Sequence, residues 1–412
     1  MRNNQNFNLV LIGQIISLFG SAIQRFSISL YLLELTGSPA IYSAILALSM
    51  LPYIFLAPVA GMTADSFNRK KIMIFLDCLS GILLFGYSVC LALRLDSVLL
   101  AGGILILLAS ISAFYNPAVT ACLPQIVPAK QLSYANSCIS QVSSFSNILG
   151  PVLAGILYSF WDIRLIVLFN AASFLFSAVL EGFIRLPKPQ KSERTAFRLL
   201  ASYLYMGTTW KKLRKNYIVT SGIILSYGLY NICIVPINSI LFPTVMNLEF
   251  HVPSEVYGTV EGIITLGMLL SGILVACRPG WFHFSKIYLW NYPMPTVMVL
   301  MGLILLFPAG TYAGIAALAL GGMTIMFCLG VGNIVTLTYM QNVIPSQMLG
   351  SVSALSTAVA TGTVPIGQVL FGQLMESRLP SGCILLLSAF VAALVSWYVR
   401  KNIQRCKTFE SK

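Results

Sequence analysis

Charge is what this sequence has least of. Only 9% of its 412 residues are Asp, Glu, Lys or Arg and 57% are hydrophobic, whereas soluble chains carry roughly 25% charge. So little charge cannot cover a water-facing surface. Histidine is scarcer still: His251 and His283 are the only two, both in loops, so neither a His-Glu-x-x-His metal site nor a serine or cysteine triad can be assembled. No Gly-x-x-x-x-Gly-Lys-Ser/Thr loop occurs, which excludes direct use of ATP through that motif. The nine cysteines contain no Cys-x-x-Cys and no paired spacing outside the membrane, so disulfides and zinc are not expected. No cofactor, metal or enzyme activity is expected.

What fills the chain is hydrophobic sequence. Stretches of about 20 apolar residues each suffice to cross a hydrocarbon core of about 30 Å. Twelve are read, at 7–35, 41–63, 72–93, 98–121, 136–159, 165–184, 217–245, 256–277, 287–308, 312–339, 351–374 and 382–399. The first is too long for a signal-peptide core and lacks a strongly basic lead, so it is read as a retained helix. The net charge of +13 suggests nucleic acid until its distribution is examined. With both termini cytoplasmic, Arg94, Arg164 and Arg378 fall outside and Arg25 within a span, while the other 21 of 25 Lys and Arg lie in cytoplasmic loops and tails. That is the positive-inside pattern, which implies orientation and contact with anionic lipid, and no nucleic-acid partner.

The basic segment 185–216 divides the chain into a six-span bundle at 1–184 and a second at 217–412, with its tail. Phe197, Leu199, Leu200, Tyr203 and Leu204 suit a helix lying in the interface. A shift of 217 positions lays Asn116 on Asn333, Val127-Pro128 on Ile344-Pro345, Leu132 on Leu349, Gly150 on Gly367 and Gly155 on Gly372. Equivalent places in the two halves keep equivalent glycines and prolines, as a duplicated transporter requires. The fold class expected is all-α and integral to the membrane, twelve helices in two pseudo-symmetric halves.

Between spans two and three stands Gly61-Met-Thr-Ala-Asp65-Ser-Phe-Asn-Arg69-Lys70-Lys71. Gly61 permits close helix approach, Asp65 can accept from backbone N–H groups or an Arg, and the basic triplet anchors at headgroups. The run resembles the signature loop of the major facilitator superfamily, with Ser66 at the first basic position and Asn68 at the second glycine. The resemblance implies a gating role for Gly61, Asp65, Arg69 and Lys70; Asp77, one and a half turns into span three, is expected to pair with Arg69 or Lys70. In span five, Gly150-Pro151-Val-Leu-Ala-Gly155 resembles the antiporter motif of the superfamily's exporters, a small-residue packing face with a proline kink. Asn6-Phe7, Gly13-Gln14, Phe19-Gly20, Leu35 to Ser38, Asn116 to Ala118 and Leu132 to Asn136 together resemble the branch of macrolide-efflux proteins, the enterobactin exporter and lysophospholipid transporters.

Charges within spans are costly and point to function. Arg25 shares a polar stripe of span one with Gln14, Ser17, Ser21 and Gln24, expected to line a water-filled cleft and to hold an anionic group. Glu34 is read as a solvated rim residue. Glu261, beside Gly258 and Gly262, is a candidate proton carrier. Tyr227, Tyr230 and Asn231 of span seven, with Asn238 and kinking Pro236, suit a broad amphiphile site. The Arg that many proton-coupled drug exporters carry in span four is absent between Ile104 and Tyr115. The expectation is a monomeric secondary transporter of the cell membrane, exporting an amphiphilic drug, macrolide or siderophore by alternating access with a proton or sodium gradient. A lysophospholipid flippase is the alternative, and a receptor without transport a distant one.

Overall fold

A computed structural model of the chain describes residues 2–128, 131–185, 199–307, 310–377 and 379–410; among them the backbone is almost wholly helical and contains no strand. Twelve helical segments are long and apolar enough to cross a membrane. The first six are α1 (Arg2–Thr36), α2 (Pro39–Ser66), α3 (Arg69–Ala92), α4 (Val98–Ile126), α5 (Leu132–Phe160) and α6 (Ile163–Gly182). Helix α7 (Leu199–Asn216) precedes the seventh span, which begins as α8 (Ile218–Cys233) and continues through two π-helical turns, Ile237–Leu241 and Val245–Glu249, around the short α9 (Phe242–Thr244). The remaining spans are α10 (Ser254–Cys277), α11 and α12 in succession (Ile287–Asn291, Pro293–Leu306), α13 (Thr311–Val343), α14 (Ser346–Glu376) and α15 (Ser381–Glu410).

Local chemistry explains several of these boundaries. Asn68, at a position where left-handed backbone would suit a glycine, is extended instead, at φ −69° and ψ 111°, and caps α3 by accepting from the Lys71 N–H. Ser97 caps α4 in the same way, and Asp162 caps α6. Pro117 and Pro124 in α4, Pro151 in α5 and Pro365 in α14 lie inside continuous helices, a tolerance that buried transmembrane helices show more often than soluble ones. Residues 186–198 of the basic segment lie outside the described residues. Its helix α7 turns Lys211, Lys212, Arg214 and Lys215 to the exterior and buries Leu213 against Ile224, Met340, Ile344, Val352 and Leu355.

The chain divides into two compact units, one of residues 1–36, 48–199 and 253–262, the other of 37–47, 200–252 and 263–412. In unit 1, α3 packs on α6 and α4, and α1 on α5 and α6. Unit 2 repeats these pairings in its own spans, with α12 on α15 and α13, and α8 on α14 and α15. The glycines that recur at the 217-residue shift sit at matching contacts. A Cβ on Gly150 would strike Ala22 of the first span; one on Gly367 would strike the Ile232 carbonyl and Pro236 of the seventh. Gly155 leaves no room for a Cβ against the Ser254 carbonyl and Gly258, and Gly372 none against Ser43 and the Pro39 carbonyl. Close backbone approach is what drives helix association where lipid is as apolar as leucine. The outward faces, with Phe75, Phe85, Phe176, Phe390 and Trp397 all more than half exposed, are apolar.

Candidate functional site

Helix α1 carries polar side chains on two faces that behave differently. Gly13 and Gly20 let α6 approach, for a Cβ would meet Ser177 Oγ at the first and Asn170 and Ser173 at the second. Through that gap run hydrogen bonds: Ser17 Oγ and Ser177 Oγ share one at 2.9 Å, and Asn170 Nδ2 donates to Gln24 Oε1 at 2.9 Å. Gln14 Nε2 donates to the Tyr115 hydroxyl of α4 at 2.9 Å, and that hydroxyl donates to Glu181 Oε1 of α6 at 2.7 Å. Asp77 of α3 accepts from Ser17 at 3.3 Å. Gln14, Ser17 and Gln24 were expected to share a cleft face with Arg25; all three are buried inside unit 1 instead, 2–3% exposed. Ser17 and Gln24 lie about 80° and 100° around the helix from Arg25, but Gln14 lies within about 20° of it, and its burial follows from the packing of α4, whose Tyr115 takes its hydrogen bond. Ser21 is half-buried, and Arg25 is exposed, with no hydrogen-bond or ion-pair partner among the described residues.

At the basic end, Lys70 Nζ donates to the Gly182 carbonyl at 2.6 Å, tying α3 to the last turn of α6. Arg69 is half-buried. Asp77, expected to pair with either, instead sits two turns deeper, with Ser17 as its hydrogen-bond donor. Gly61 and Asp65 fall in the last turns of α2, where their side chains lie outside the described residues. The opposite end of unit 1 is held by hydroxyl–carboxylate bonds: Tyr158 donates to Glu34 at 2.6 Å and Tyr31 to Asp96 at 2.7 Å. Glu34 is exposed, as expected of a rim residue, but serves as an anchor for α5. Gly258 and Gly262 press on the Pro151 carbonyl and Val152 of α5, and Glu261 between them is half-buried.

In unit 2 the aromatic and amide groups of the seventh span are tied to their neighbours. The Tyr227 hydroxyl accepts from Thr336 at 3.0 Å, Tyr230 shares a 2.8 Å bond with Ser396, and Asn231 Nδ2 donates to the Ala360 carbonyl at 2.9 Å. The two tyrosine rings meet edge to face, centroids 6.2 Å apart. Tyr230 is fully buried, whereas Tyr227 and Asn231 remain half-buried. Beyond Pro236 the π-helical turns widen the backbone, and Thr244 and Asn247 donate back to the carbonyls of Ile240 and Pro243. Among the described residues no cluster of three or more His, Cys, Asp or Glu is placed to hold a metal.

A family model described as Major Facilitator Superfamily matches residues 10–367. The chain belongs to the major facilitator superfamily. It is therefore a multi-pass membrane transporter and not an enzyme. Macrolide efflux protein A of Streptococcus pyogenes is 27% identical over 379 residues, covering 88% of both chains, and the protein of that name in Enterococcus faecalis is 26% identical over 346 residues, 80% of this chain and 99% of its own. A lysophospholipid transporter of Shigella flexneri is 27% identical over 188 residues, 45% of this chain and 44% of its own. Among solved structures, the nucleoside transporter NupG superposes with a TM-score of 0.72 at 13% identity, covering 96% of this chain and 98% of that one. A bacterial homologue of the iron transporter ferroportin does so at 0.71 and 16%, covering 97% and 98%. These last two likenesses show the fold alone.

Sequence reasoning passed over the residues that complete the polar spine of this superfamily member: Tyr115, Asn170, Ser177 and Glu181. Glu181 lies near the border of its span, where a carboxylate reads as solvated. The available signal was spacing, since Asn170, Ser177 and Glu181 recur at intervals of seven and four, one face of a helix.

Proposed function

We propose that the chain exports an amphiphilic small molecule of the macrolide kind by alternating access, driven by a proton or sodium gradient. The observation that carries this reading is the similarity to macrolide efflux protein A across 88% of both chains, since a likeness of that reach takes in both halves of the transport machinery. Arg25 supports it from the structure: a permanent charge on an exposed face of α1, without a partner among the described residues, is available to a carboxylate of the cargo or of the coupling machinery. Gly61, Asp65, Arg69 and Lys70 are assigned the gating role implied by their loop, Glu261 remains the candidate carrier in the eighth span, and the half-buried Tyr227 and Asn231 are candidate contacts for cargo. Both termini are placed on the cytoplasmic side, where the lysines and arginines gather.

The test is accumulation of radiolabelled erythromycin in a macrolide-sensitive bacterium lacking its own exporters. Expression should lower steady-state accumulation several-fold, and a protonophore should restore it. Equal accumulation with and without the protein, at verified membrane expression, overturns the reading. The partial likeness to a lysophospholipid transporter favours one other cargo, and movement of labelled lysolipid in proteoliposomes without an ion gradient would select it.

A further inference from the structure

Among the described residues two charged side chains are fully buried, Asp77 at 2% exposure and Glu181 at 1%. They approach the same stretch of α1 from α3 and α6. Glu181 Oε1 is bonded to Tyr115, but its other oxygen, Oε2, is buried without any hydrogen-bond partner. No Lys, Arg or His among the described residues forms an ion pair with either carboxyl. The groups facing them are Gln14 and Ser17 of α1, Tyr115 of α4 and Ser177 of α6, and Cys122 of α4 lies within electrostatic reach of both Glu181 and Arg69. The nearby cations are on the first turn of α3. Lys70 is engaged by the Gly182 carbonyl, and Arg69 starts eight residues before Asp77, about 12 Å along the axis at 1.5 Å per residue. Two like charges buried to this degree, one with an orphan oxygen, repel each other through a medium of low dielectric. One added positive charge removes the conflict.

We propose that the N-terminal unit of this transporter binds a single proton at the Asp77–Glu181 pair, and that this is a coupling-ion site separate from the Arg25 face. The proton is taken from bulk water at the basic end, forms an O–H bond at Glu181 Oε2, and returns to water when it leaves. Asp77 keeps the hydroxyl of Ser17, a bond that favours its ionised form. The exposed Gly182 directly follows Glu181, so the route to water is short. Helix α1 links this site to cargo binding, because Ser17 on its inner face and Arg25 on its outer face are about two turns apart. Loss of the proton puts a second charge against the α1–α6 contact, and α1 shifts in response.

The inference rests on the chain being a transporter and not on the identity of its cargo. The experiment is infrared spectroscopy of the purified full-length protein in detergent, following the carbonyl stretch of protonated carboxylic acid and its shift in D2O. At pH 7 the wild type should show one buried band, absent from Glu181→Gln. Tyr115→Phe, which removes a hydrogen bond from that carboxyl, should move the band to higher frequency and serves if Glu181→Gln does not fold. Absence of the band in wild type, its persistence in Glu181→Gln, an unmoved band in Tyr115→Phe, or its displacement by sodium at fixed pH each overturns the proposal. No cargo enters this measurement, so failure of macrolide efflux and failure of the proton site are separately visible.

Discussion

The two units pack alike but differ in what they bury. Both bring the first and last helices of their half together through glycine or small polar residues, and both place a glycine pair at the same 217-residue interval against a neighbouring backbone. Yet among the described residues the buried polar groups of unit 2, Tyr230, Ser396, Gln368 and Asn402 included, are all neutral, whereas unit 1 buries Asp77 and Glu181 among hydroxyls and amides. Arg25 likewise has no basic counterpart anywhere in the seventh span, Ile218–Glu249. Backbone approach is constrained by geometry that duplication preserves. Side-chain chemistry is not held by that geometry and is free to diverge.

The shared part of the comparison breaks first at its glycines. Gly155→Leu and Gly372→Leu should each cost about 3 kcal/mol, the upper end of ordinary overpacking, because backbone atoms line both contacts. Size-exclusion profiles of fluorescent fusions would show loss of monodisperse protein in both; loss in one alone would deny the symmetry. The unshared part is sharpened by removing one hydroxyl from each unit. Tyr115→Phe leaves Gln14 and Glu181 short of a partner and should cost about 2 kcal/mol, against about 1 kcal/mol for the neutral pair lost in Tyr230→Phe. Thermal unfolding in detergent compares them, and an equal loss would remove the distinction.

Arg25→Ala should change stability by less than about 0.5 kcal/mol and lower erythromycin efflux at least tenfold, with Arg25→Lys recovering part of it; full efflux in the alanine variant would strip the residue of its role. The smallest effect belongs to Asp162, which caps α6 and pairs with Arg164 across 2.5 Å. Partial burial opposes its charge, but the hydrogen bonds and charge of Arg164 outweigh that and hold the carboxyl below its ordinary value. The contribution is therefore present above the usual carboxylate range and lost as pH falls through the lowered value. Asp162→Asn should cost about 0.5 kcal/mol at neutral pH, a difference that vanishes in acid.

The span count was legible because hydrophobic length is a one-dimensional property, and so were the glycines that recur at the shift. Boundaries were less so: the seventh span continues to Glu249 and the tenth to Val343, since backbone hydrogen bonding extends helices past the apolar run. The site was legible only in part. Charge inside a span marked Arg25, Asp77 and Glu261, but the pattern assigned Gln14, Ser17 and Gln24 to the face of Arg25, and the structure turned them inward. A polar stripe on a helix has the same spacing whether it faces water or a polar neighbour.

By itself the sequence determined the membrane as solvent, the twelve helices and the duplicated plan, because each follows from hydrophobic length, charge distribution and local backbone chemistry along the chain. Which polar residues meet was decided by tertiary structure alone. Gln14, Tyr115 and Glu181 are separated by 101 and 66 residues, and only the packing of α1, α4 and α6 brings them within hydrogen-bonding distance and leaves one carboxylate oxygen without a partner.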